Sequence, residues 1–119
     1  MSCKDCDNTS CVGDYLCPDE VKRLQQAELK LNKINGLVAK EFQRATEKFD
    51  AFHNTHEGYA ILLEEVDELW DDIKANDLYS SCDEAIQVAA MAMRYLFDLM
   101  PDDFDRDMHR ALTGKDRDK

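Results

Sequence analysis

Glu65 and Glu68 lie three residues apart in the stretch His56–Lys74. On a helix, that spacing stacks two side chains on one face. Like charges so placed repel by roughly a few tenths of a kcal/mol, and a cation seated between them turns the repulsion into binding. Glu64, Asp71 and Asp72 extend the acidic run. Downstream, Glu84 and Gln87 repeat the three-residue spacing with an acid and an amide. Carboxylate and amide oxygens are the ligands that hard divalent cations take. The chemistry on offer is the binding of a divalent metal. The plainer account is that acidic runs on helices form solvated faces, and that Glu84 is only the Glu of a Ser81-x-x-Glu84 capping box.

The elements that would position these groups are helices. Leu62, Val66, Leu69, Trp70 and Ile73 recur at helical spacing and predict an amphipathic helix over His56–Lys74, capped by Asn54 or Thr55. Ser81 is expected to open a second helix, running from Ala85 to Met100, that is apolar almost all round and therefore covered by protein on every side. A short polar link, Ala75–Ser80, makes the two antiparallel neighbours. Before them, Leu24, Leu31, Val38, Ala45 and Phe52 keep a seven-residue rhythm. They predict one long helix from Pro18 to His53 that holds its phase through Asn35-Gly36. A short helix over Asp102–Leu112, with Phe104, Met108 and Leu112 as its apolar face, is expected next. His53 and His56 flank the turn before the first acidic helix. A histidine at a helix start more often makes a local contact than a catalytic one, and neither is assigned a role.

Taken together, Glu64-Glu65-x-x-Glu68 followed by Glu84-x-x-Gln87 resembles the Glu-Glu-x-x-Glu…Glu-x-x-Asp signature of the MazG-like all-α nucleoside triphosphate pyrophosphohydrolases. The flanks His56-Glu57-Gly58-Tyr59-Ala60 and Gln87-Val88-Ala89-Ala90-Met91-Ala92 are similar to a small single-domain branch of that superfamily. The resemblance covers roughly residues 48–99; Gln87 departs from it, standing where the family has Asp. The resemblance implies an all-α antiparallel bundle with a long first helix, two acidic-motif helices and a short C-terminal helix. It implies Mg²⁺, with Mn²⁺ as an alternative ion, held by Glu65, Glu68, Glu84 and Gln87. Glu64 or Glu65 would activate the water that converts a nucleoside triphosphate to monophosphate and pyrophosphate. Lys48, Arg94 and Trp70 are the candidates for holding substrate. The lysine is the nearest of a basic set, Lys33, Lys40, Arg44 and Lys48, whose simpler role is a solvated face. A homodimer is implied as well, with a tetramer as the alternative. The rival function is a non-catalytic helical interaction protein with a degenerate metal site.

Composition sets the outer limits. The 119 residues suffice for one compact domain, expected over residues 18–112 between a Cys-rich start (1–17) and a charged tail (113–119). A net charge of −11 argues against nucleic acid or an anionic membrane as partner, since both need a basic surface. It leaves a metal-escorted nucleotide open. No apolar stretch approaches the ~20 residues of a membrane span, and the N-terminus lacks a secretory pattern, so the expected compartment is the cytoplasm.

Cys3, Cys6, Cys11 and Cys17 lie in the first seventeen residues. A reducing compartment argues against a disulfide framework. Four thiolates at this spacing suit a closed tetrahedral Zn²⁺ site, a structural clip or docking element. The alternative is a tail of free thiols.

Overall fold

The computed structural model describes residues 17–114. They form helices α1 (Pro18–Lys48), α2 (Thr55–Lys74), α3 (Leu78–Leu99) and α4 (Arg106–Thr113). Among the described residues no strand occurs, and no helix is long and apolar enough to cross a membrane. The all-α class read from the periodicity therefore holds.

Pro18 opens α1, with Asp19 and Glu20 in its first turn and Lys48 in its last, charges that complement the helix dipole. The helix passes unbroken through Asn35-Gly36, as the preserved apolar phase predicts. It ends at Lys48 rather than His53. The Phe49 N–H still reaches the Ala45 carbonyl, at 2.9 Å. Beyond it, charged side chains from α3 take the backbone. Arg94 Nη2 donates to the Asp50 carbonyl at 2.8 Å, and the Asp98 carboxylate accepts the Phe52 N–H at 2.9 Å. Charge-assisted bonds of this kind are stronger than neutral ones and satisfy backbone groups that the helix no longer pairs.

Tertiary contacts divide the chain at the Lys40/Glu41 junction, inside α1. Two compact units result. A helix satisfies its own backbone and can run on where tertiary packing stops. In the first unit, residues 21–37 are exposed throughout, Leu24 and Leu31 of the seven-residue rhythm included, while Val38 is buried.

The second unit is built on α2 packed against α3. Asn54 caps α2 by accepting the Glu57 N–H at 2.9 Å. The Glu57 carboxylate does not reach back to complete a capping box; it meets His53 Nδ1 at 3.0 Å. After α2, Asn76 adopts a left-handed conformation (φ 56°), which Asn tolerates better than most residues, and the chain reverses within three residues. Asp77 then caps α3 by accepting the Ser80 N–H at 3.1 Å. The helix therefore starts at Leu78, three residues before the expected Ser81. Ser81 lies inside it, its hydroxyl donating to the Leu78 carbonyl. At the far end of the pair, Gly58 of α2 meets Tyr95 and Leu99 of α3. A Cβ at Gly58 would stand 2.7 Å from Tyr95 Cδ2, so glycine sets how closely the helices approach.

Ala45, Phe52, Ala90 and Met91 are buried. The expectation of apolar cover all round α3 is not met within one chain: Leu96 is exposed and Phe97 is 72% exposed. Val66, Trp70 and Ile73 of the α2 stripe are exposed too, leaving Leu62 and Leu69 half-buried. The last helix is capped by Asp105 and ends at left-handed Gly114. It starts later than its sequence suggests, and Phe104, Met108 and Leu112 are exposed.

Candidate functional site

The antiparallel pairing brings Glu84, in the second turn of α3, level with Glu65 and Glu68 of α2. One carboxylate oxygen from each lies within 4.8 Å of the others, a span one cation with oxygen ligands at roughly 2–2.5 Å can bridge. Because Asp77 caps α3, Glu84 is not the capping-box residue, and its carboxylate is free of that duty. Its Oε2 atom is buried and has no hydrogen-bond partner.

The electrostatics follow from this crowding. Burial, then the nearby charges of Glu68, Glu65 and Asp72, push the Glu84 carboxyl up to about 7. Burial, and next Glu68, raise Glu65 as well. A carboxylate buried among carboxylates must take up a proton or share a cation. The donor set is all hard oxygens, and one of its carboxylates carries a buried oxygen without a partner, which fits Mg²⁺ or Mn²⁺.

Beside the cluster is a cavity of about 440 Å³, within the range of small-molecule sites. Glu64, Glu65 and Gln87 line it, so Glu65 is the member of the acidic cluster that also faces the cavity. Gln87, one turn beyond Glu84, brings its amide near the Glu41 carboxylate toward the end of α1 and helps lower its pKa. The amide also carries an oxygen able to serve a metal or ligand. Glu41 is also paired with Arg44, whose Nε lies 3.0 and 3.1 Å from the two carboxylate oxygens. That pairing holds Glu41 below the usual carboxylate range.

The three candidate substrate residues fare differently. Arg94 lines the cavity. It is only 3% exposed, lies over the Phe52 ring at 4.5 Å, and donates to the Asp50 carbonyl. Lys48 does not line the cavity; its ammonium lies 5.3 Å from the centre of the Phe49 ring. Trp70 is 55% exposed, away from the cavity, with Lys74 over its ring at 5.8 Å. Sequence reasoning passed over two pairs that do line it or border it: Glu41–Arg44, and His53–Glu57, where the Glu57 hydrogen bond raises the His53 pKa. Each was legible as an (i, i+3) or (i, i+4) ion pair; where it pointed was not.

Of the proposed zinc ligands, Cys3, Cys6 and Cys11 lie outside the described residues. Cys17 is buried and disulfide-bonded, in contrast to the reducing-compartment expectation. A sulfur in a disulfide has no thiolate to give a metal.

Compared with family models, with curated proteins and with solved structures, the chain finds no match.

Proposed function

We propose that this chain is a Mg²⁺-dependent nucleoside triphosphate pyrophosphohydrolase with a MazG-like helical bundle. The observation that carries the reading is the meeting of Glu65, Glu68 and Glu84 next to a cavity of small-molecule size. The motif resemblance supplies the reaction class; the geometry supports it by making the motif's carboxylates one cluster instead of a solvated face.

In this reading Glu65, Glu68 and Glu84 hold the metal, with the Gln87 amide oxygen as a further ligand or a contact to bound water. Bound Mg²⁺ supplies positive charge against the phosphate oxygens and acidifies water. Glu64 lines the cavity next to the cluster without belonging to it, which leaves it as the base. It orients a water and takes its proton as the water oxygen bonds to the α-phosphorus. The α–β bridging P–O bond breaks, pyrophosphate leaves with the bonding electrons, and the nucleoside monophosphate remains. Arg94 is the substrate contact retained from the three candidates. Lys48 and Trp70, being outside the cavity, take no part.

We propose further that the protein works as a homodimer, because Leu96 and Phe97 on α3 form exposed apolar surface that a second copy would cover. Light scattering at micromolar concentration gives the mass directly.

The test of function is pyrophosphate release from a panel of ribo- and deoxynucleoside triphosphates, with Mg²⁺ and with EDTA. Metal-dependent release with monophosphate as co-product supports the reading and ranks the bases. A folded protein silent across the panel would instead favour the helical interaction protein.

A further inference from the structure

Arg94 is a guanidinium buried to 3% exposure whose charge is not matched. Among the described residues no carboxylate forms an ion pair with it. Its contacts are a carbonyl at 2.8 Å, the Met91 sulfur at 3.7 Å, and the faces of Phe52 and Phe49. Guanidinium cannot shed its proton, so its burial has to be compensated by acceptors or an anion. One carbonyl and a thioether use only part of its five N–H donors.

The same cavity is lined by a second guanidinium, Arg44. Glu41 grips it through Nε and Nη2. This fixes the position of an otherwise flexible, half-exposed side chain. Acids line the cavity too: Asp50, Glu57, Glu64 and Glu65. Glu57 faces His53, and Glu64 and Glu65 stand at the metal-competent side, while the Asp50 side chain lies near His53. A bare anion would meet these carboxylates; an anion arriving with a divalent cation would have them neutralised and the two guanidiniums left to bind it. Arg forks match phosphoryl oxygens in pairs.

We propose that Arg94 and Arg44 form a phosphoryl seat in this cavity, which receives the pyrophosphate part of a metal-escorted ligand, with Glu41 as the residue that positions Arg44. The ligand class rests on the hydrolase reading above; the seat itself rests on the two guanidiniums.

The experiment is calorimetric titration of inorganic pyrophosphate into the full chain with Mg²⁺ present, on wild type and on Arg94→Lys, Arg44→Gln and Glu41→Gln, each checked for unchanged helicity and melting temperature. Arg94→Lys keeps the charge and loses the fork, which protects the fold. Arg94→Lys and Arg44→Gln are each expected to weaken pyrophosphate about tenfold, the worth of one charged hydrogen bond. Glu41→Gln should weaken it a few-fold while leaving Mg²⁺ affinity, titrated without pyrophosphate, unchanged; general structural damage would not produce that split. Unchanged pyrophosphate affinity in both arginine variants, or no binding to wild type, overturns the seat. Seat and hydrolase reading fail separately. Pyrophosphate binding lost in the variants, with no turnover of any triphosphate by wild type, keeps the seat and removes the hydrolase. Turnover with pyrophosphate affinity indifferent to both arginines does the reverse.

Discussion

Glu84 and Arg94 sit on the same helix, ten residues apart, and each takes a charge out of water without an opposite charge beside it. They resolve the difficulty differently. Glu84 is crowded by other carboxylates and can take up a proton, which its pKa of about 7 records. Arg94 has no such exit, so its surroundings supply a carbonyl and two aromatic faces instead. The Glu84 end of α3 can shed its charge by taking up a proton; the Arg94 end is permanently cationic and can be satisfied only by acceptors. The proposed function uses one of each, for metal and for phosphate.

The largest effect that would break this contrast is at the acidic end. Glu68→Gln should lower pyrophosphate release at least about a hundredfold with helicity by circular dichroism unchanged; retained activity sinks the metal assignment. At the cationic end, Arg94→Ala removes a charged hydrogen bond and the stacking on Phe52, and should cost about 2–3 kcal/mol in denaturant unfolding. Gly58→Ala pushes a methyl into Tyr95 and should cost about 1–3 kcal/mol, and wild-type stability there would mean the helices part easily.

The pH dependence sharpens the contrast further. Glu84 and Glu65 have raised pKa values, so the folded metal-free protein binds more protons than the unfolded chain. The contribution of Glu84, the larger, favours folding below the ordinary Glu pKa of 4.5 and is lost as pH rises through about 7; that of Glu65 has the same sign. The metal-free melting temperature should therefore fall by several degrees between pH 5 and pH 8, and Mg²⁺ should restore it. Metal binding near pH 6 should release protons, seen as a buffer-dependent binding enthalpy. A melting temperature flat in pH would mean that Glu84 is not buried among like charges.

The smallest effect concerns where α3 begins. Asp77→Ala should cost about 1 kcal/mol as the loss of an N-cap, with a larger loss above the Asp77 pKa, which the Ser80 backbone bond lowers. Ser81→Ala should cost under about 0.5 kcal/mol. The reverse order would restore the start that the Ser81-x-x-Glu84 spacing suggests.

The sequence by itself determined the helices and the stacking of acids on them. Hydrogen bonding within a helix and the 3.6-residue period are local, so Glu65 over Glu68, the continuity of α1 through Gly36 and the Asn54 cap could be read directly. Ser81 misled because Asp77 caps just as well and a left-handed Asn76 brings it into place. Tertiary structure alone decided which charges share a cavity. Lys48 and Arg44 are both basic residues on α1, one turn apart, and nothing local says that Arg44 faces the cavity while Lys48 lies over Phe49. Arg94 reads as one polar residue on an apolar helix; its burial depends on the loop after α1 folding over it, a contact 44 residues distant in the chain. Spacing along a helix fixes which side chains share its face, and only packing fixes what that face meets.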